Sequence, residues 1–149
     1  LSSNMKQPKR YCIDTNVFLR VFIRENEVAF NQCYRLLEKV KSGDVVACTH
    51  DLVLTEIVWT LQSVYGQSKQ IAIRAAESVV NLHGLELVSG YDARRALKLY
   101  KTYSVKYVDA CLAAVDEVAQ KQTAIVSYDT DFKKLPIMWT QPKDVFFSR

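Results

Sequence analysis

Four acidic residues lie far apart in the chain: Asp14 in YCIDTN, Glu56 in LTEIVW, Asp109 in YVDACLAA and Asp129 in IVSYDTDF. Asp14 and Asp129 each close a short apolar run, the place where an open parallel sheet presents groups to its ligand crevice. If folding gathers all four, the cost is large. Two carboxylates about 4 Å apart repel by roughly 4 kcal/mol at an effective dielectric of about 20. A bound cation or shared protons must offset that repulsion. Oxygen ligands without histidine or thiolate suit a hard ion, and a site of few carboxylates suits Mg2+ or Mn2+. Such an ion polarises a phosphoryl oxygen and lowers the pKa of bound water. The chemistry this equipment fits is phosphodiester hydrolysis.

The elements that must position these acids follow from periodicity. Strand-length apolar runs near 11–14, 44–48, 85–88, 123–127 and 137–139 alternate with stretches of 3.6-residue period near 15–23, 27–41, 51–65, 69–82, 91–103 and 107–120, with a short helical turn after Asp129. That alternation predicts βα units and a parallel sheet. Gly43, Gly66, Gly84 and Gly90 stand where helices or strands should stop. Residues 1–10 read as a tail, its first four as a remnant ahead of Met5, and 11–149 as a single domain.

Each acid has a plainer reading beside the functional one. In the third helix Val53, Leu54, Ile57, Val58, Leu61, Val64 and Tyr65 form the expected core face, and Glu56 lies between Leu52 and Trp59 on the other side. A carboxylate in such surroundings is protonated, hydrogen-bonded or paired; the alternative is a solvated glutamate. Asp109 falls just off the core stripe of Val108, Cys111, Leu112, Val115, Val118 and Ala119, in a first turn where the helix dipole favours an acid anyway. Asp129 and Asp131 read equally as N-cap or turn acids. Asp14, followed by Thr15 and Asn16, has little packing purpose.

Composition narrows the class. With 49% hydrophobic and 24% charged residues the chain is a globular one. A net charge of +4 permits a polyanionic partner without requiring one. Cys12, Cys33, Cys48 and Cys111 include no CxxC pair, and Cys12 and Cys48 fall in apolar strand-like runs where a thiol behaves as a small hydrophobe, which predicts a reduced, cytoplasmic setting. His50 and His83 lack metal-ligand spacing, so a zinc site is unsupported. No apolar run reaches the roughly 18 residues of a membrane span.

The ordered set YCIDTNVFLR, LTEIVWTL, YVDACLAAV and AIVSYDTDFKKLP resembles the PIN-domain nucleases, and the chain's size is similar to the VapC-type toxins of toxin–antitoxin pairs. The resemblance implies a three-layer α/β/α fold with a central parallel sheet of order 3-2-1-4-5 and metal-dependent endoribonuclease activity. It implies that Asp14 and Asp109 are the principal metal ligands, and that Glu56 and Asp129 bind metal directly or through water, one of them orienting the attacking water. Thr15, Asn16 and Ser127 would hold those carboxylates, with Asp131 able to assist or replace Asp129. It further implies an antitoxin whose C-terminal segment lies along a groove and over the metal site, with Trp59 and Leu52 as candidate contacts. Ser127 stands where many relatives have threonine, and Gln120-Lys121-Gln122 lacks their glycine.

For RNA, Arg94, Lys98 and Lys101 align as a basic ridge able to steer phosphates, and Tyr100, Tyr103 and Tyr107 form a row able to stack on unpaired bases. The plain account is a solvated face over core tyrosines. Lys133 and Lys134 beyond Asp129 also invite phosphate contact, their plainer reading being the end of a helix. The apolar excess leads us to expect a homodimer. Rival readings are a catalytically inactive PIN scaffold binding RNA or protein, and an Asp14-dependent phosphatase or receiver domain, which wants a further aspartate where Thr15 stands. A nucleotide-binding enzyme is weaker still, because no glycines form a phosphate-cradling loop.

Overall fold

Three short strands carry almost nothing but buried side chains, β1 (Arg10–Ile13), β2 (Ala47–His50) and β4 (Thr123–Val126), whereas β3 (Leu85–Val88), at the sheet edge, exposes Glu86 and Leu87 and only half-buries Leu85 and Val88. β2 and β4 are buried at every position, as parallel strands covered on both faces require. A fifth, β5 (Trp139–Thr140), completes a fully parallel sheet of order β3-β2-β1-β4-β5 in the computed structural model, which describes residues 7–145. The expected remnant at residues 1–4 lies outside the described residues.

Between β1 and β2 run α1 (Thr15–Phe22) and α2 (Glu27–Lys41); between β2 and β3 run α3 (Asp51–Ser63) and α4 (Lys69–Val80). The return to β4 uses α5 (Ala93–Thr102), α6 (Tyr107–Ala113) and α7 (Asp116–Ala119). The chain moves outward from β1 to β3 and then re-enters on β1's other side, so right-handed connections put the two helix sets on opposite faces. This gives the three-layer α/β/α arrangement. The core between the layers centres on Phe18, Leu36, Ile57, Leu61, Leu112, Ile125 and Phe132, all fully buried.

Several boundaries differ from the sequence expectation for identifiable reasons. The second strand starts at Ala47 rather than 44, because the Val45 N–H turns back to the Lys39 carbonyl and closes the end of α2. α3 ends at Ser63: the N–H groups of Val64 and Tyr65 both return to the Thr60 carbonyl. Val64, 61% exposed, and Tyr65 therefore leave the core face they were assigned. The helix expected over 107–120 is broken in two. The Ala114 carbonyl accepts from the Asp92 N–H (3.0 Å) and from the Arg95 guanidinium (3.4 Å), and Val115 turns extended to begin α7. A tertiary hydrogen bond overrides a periodicity that continues through Val118.

Gly84 connects α4 to β3 with φ at +85°, and a Cβ there would overlap the Val40 backbone oxygen. Gly84→Ala is expected to cost about 2–3 kcal/mol, because both the left-handed backbone and the close approach exclude a side chain. Urea denaturation of wild type and variant measures it; a cost below about 0.5 kcal/mol would show that the Gly84–Val40 contact relaxes freely.

Candidate metal centre

β1 and β4 are neighbours at the point where the chain reverses its direction of travel across the sheet, so residues following both strands share one crevice. Asp14 ends β1 and precedes α1, while Ser127, Tyr128 and Asp129 follow β4. The Asp14 carboxylate does not cap its own helix. It turns across to Ser127, whose Oγ lies 2.7 Å from Asp14 Oδ2.

The direction of each hydrogen bond around Ser127 is forced. Its oxygen accepts from the Asn16 side-chain amide at 2.8 Å and from the Asp129 N–H at 3.0 Å, which leaves the single hydroxyl proton for Asp14. Asn16 is itself fixed, because its Oδ1 accepts from the Tyr128 N–H at 3.1 Å. Thr15 Oγ1 donates to Glu56 Oε1 at 2.8 Å and so ties α3 to the start of α1. The three residues Thr15, Asn16 and Ser127 thus hold the carboxylates, while the carboxylates hold the crevice.

Asp109, in the first turn of α6, is only 2% exposed, deeper than the edge position read from the helical pattern. Among the described residues its buried Oδ2 meets no hydrogen-bond donor. Carboxylate oxygens of Asp109, Asp129 and Asp131 lie within 4.8 Å of one another. Asp129 Oδ1 accepts the Asp131 N–H at 2.9 Å as the cap of the 3-10 turn Thr130–Lys134, which aims both acids the same way. Asp131 therefore lies beside Asp129 in the cluster, and its Oδ1 meets Lys134 at 2.9 Å.

Electrostatics record the crowding. Burial lifts Asp14 from its ordinary 3.8 to about 6, with Glu56 adding to the rise, and the Ser127 hydroxyl and Thr15 N–H working against it. Burial likewise lifts Asp109 to about 7; Lys106 opposes this, and Asp14, Asp129 and Glu56 reinforce it. A partnerless buried carboxylate oxygen facing two further acids, with only oxygen donors in reach, fits a hard divalent cation.

Sequence reasoning missed Lys106. Its Nζ lies 3.8 Å from Asp129 Oδ2, and its charge interacts with Asp109, Asp129, Glu56 and Asp14. A signal was present: lysine occupies the N-cap of α6, where the helix dipole disfavours a cation.

The other expected residues divide. Arg94, Lys98 and Lys101 are exposed along α5. Tyr100 and Tyr107 meet edge to face at 5.4 Å, both well exposed, whereas Tyr103 is half-buried and packs against the core, so the tyrosine row is a pair. Lys134 is engaged by Asp131 and by the Ser104 carbonyl. Trp59 is 62% exposed and lines an open groove of about 990 Å³ between α3 and α4 with Leu54, Val58, Ile73 and Val80. Leu52 lines no part of that groove; it packs inward against Ala96, Cys111 and Ala114. His50 is buried, with Nδ1 accepting from the Leu52 N–H and Nε2 against the Gly90 carbonyl.

Comparison with solved structures finds similar folds. VapBC2 from Rickettsia felis, solved bound to a DNA fragment from its promoter, aligns at a TM-score of 0.63 and 14% identity, covering 88% of this chain and 97% of that one. A toxin–antitoxin complex from Klebsiella pneumoniae aligns at a TM-score of 0.59 and 16% identity, covering 91% and 99%. Among curated proteins the sequence finds no match. Among the described residues, no helix is long and apolar enough to cross a membrane. The family model described as PIN domain matches residues 11–138, nearly the whole extent of the sheet and every acid of the crevice, and the chain belongs to the PIN domain family.

Proposed function

We propose that the protein is a Mg2+- or Mn2+-dependent endoribonuclease acting in the cytoplasm as the toxin of a toxin–antitoxin pair. The observation that carries this reading is the Asp109 oxygen left without a donor beside Asp129 and Asp131, next to Asp14 and Glu56. In this reading Asp14, Asp109 and Asp129 hold the ion, and Asp131 supports Asp129. A divalent ion bound there supplies Lewis-acid polarisation of the scissile phosphate and a more acidic water. Glu56, half-buried and fixed by Thr15, accepts the proton of the attacking water. Ser127 and Asn16 keep the Asp14 carboxylate pointed into the crevice. Arg94, Lys98 and Lys101 steer the RNA backbone, and the exposed Tyr100–Tyr107 pair offers an aromatic edge to unpaired bases. The solved toxin–antitoxin relatives and the apolar α3–α4 groove with Trp59 support a protein inhibitor as partner.

The purified protein is expected to cut single-stranded or looped RNA with Mn2+ or Mg2+, and to lose that activity in chelator. Gel analysis of a labelled RNA checks it. Cleavage undiminished by chelator would remove the metal mechanism. RNA binding without cleavage under any divalent ion would favour an inactive scaffold, and turnover of phosphomonoesters alone would favour a phosphatase.

A further inference from the structure

The N-cap of α6 is an expensive place for a lysine. Ser, Thr, Asp or Asn there would satisfy a free backbone N–H, and lysine has no acceptor to offer. It also sets a positive charge against the positive end of the helix. Only the acids repay this. The Lys106 side chain extends to Asp129 at 3.8 Å, with Asp109, Glu56 and Asp14 as its electrostatic neighbours, yet it remains 64% exposed and makes no hydrogen bond within the cluster. Lys134, by contrast, is pinned between Asp131 at 2.9 Å and the Ser104 carbonyl at 3.1 Å. One cation near the crevice is therefore anchored, and the other is held by field alone.

We propose that Lys106 is a resident counter-cation of the carboxylate site, occupying the field of the four acids when no ion is bound and swinging outward when one enters, where its ammonium meets a substrate phosphate. This rests on the metal-nuclease reading above. Its long, exposed stem lets the head move without disturbing α6, because Lys106 joins that helix only through its backbone carbonyl, which accepts from the Asp109 and Ala110 N–H groups, and not through its side chain. An incoming divalent ion must displace or outweigh that single charge, so Lys106 sets the metal affinity. The displaced ammonium, at the rim of the crevice, is a point charge suited to a phosphate oxygen.

Calorimetric titration of Mn2+ into the full chain at fixed ionic strength tests the first half. Lys106→Gln is expected to bind Mn2+ about tenfold more tightly than wild type, whereas Lys106→Arg, which keeps the charge, stays within about twofold. Lys41→Gln, removing a charge at the end of α2 that leads into the start of β2, also stays within about twofold because solvent screens it. Melting temperatures confirm that each variant is folded. Equal or weaker Mn2+ binding by Lys106→Gln, an equal gain in Lys41→Gln, or no binding by any of the proteins would overturn the proposal. At saturating Mn2+, Lys106→Gln is expected to raise KM for a single-stranded RNA several-fold with little change in kcat; an unchanged KM would remove the phosphate role. A wild type that binds Mn2+ but cuts no RNA would sink the endoribonuclease reading, while the order of Mn2+ affinities would still decide whether Lys106 is the counter-cation.

Discussion

Replacing Asp109 by asparagine is expected to reduce RNA cleavage by about a thousandfold and, at the same time, to raise the melting temperature of the metal-free protein. The two effects share a cause. Asp109 is almost wholly buried, one of its oxygens has no donor, and Asp14, Asp129 and Glu56 all push against its charge. Asparagine keeps the shape, removes the charge, and brings an N–H that can donate to the neighbouring acids. For a chain of this size, each 1 kcal/mol recovered lifts the melting temperature by about 2–4 °C. Asp14→Asn should lose activity to a similar extent with a smaller gain in stability. The Asp14 carboxylate already accepts from Ser127 and the Thr15 N–H, and an asparagine amide would set a donor against one of those donors. Thermal melts beside cleavage assays distinguish the cases. A variant at Asp109 that melts lower and cuts at the wild-type rate would show that this carboxylate is structural.

The unequal behaviour of these two acids mirrors how unequally the sequence disclosed them. Asp14 was legible because YCI is too short and apolar to be anything but a buried strand, and a charged residue closing it has no packing role. The alternation of strands and helices was legible for the same reason, since buried parallel strands read as unbroken apolar runs; the sheet order was implied only by the resemblance to the PIN-domain nucleases. Asp109 was legible as a candidate and not as a buried group. A helical wheel shows only its own helix, and Asp109 is enclosed by neighbours that arrive from elsewhere in the chain. The break after Ala113 was hidden because Val115, Val118 and Ala119 continue the period that the Asp92 N–H and Arg95 interrupt from α5. Lys106 escaped notice because its purpose is tertiary. Locally it is a poor cap, and only the acids drawn together around it explain why that position carries a positive charge.

Stability of the metal-free protein should fall as pH rises from about 5 to about 7.5, the reverse of ordinary acid denaturation. Asp14 and Asp109 titrate near 6 and 7 when folded and near their ordinary 3.8 when unfolded. Between those values the folded state holds protons that the unfolded state has released. Their contribution is complete below the unfolded value and is lost as pH climbs through the folded ones. The rise at Asp14 alone corresponds to about 3 kcal/mol. Asp109 acts in the same direction, and because each perturbs the other the two titrate as a coupled pair. Divalent ions must invert this trend, since they bind the deprotonated cluster and only in the folded protein. An ion at a hundred times its Kd adds about 2.7 kcal/mol, and its affinity is greatest where the acids are already ionised. Melting curves at pH 5.5, 6.5 and 7.5, each with chelator or with Mn2+, are therefore expected to diverge as pH increases. Asp109→Asn should flatten the chelated series and abolish most of the Mn2+ gain. A chelated wild type that melts no lower at pH 7.5 than at 5.5 would mean that neither burial nor the neighbouring acids penalise these carboxylates, and the crevice would need no cation to complete it.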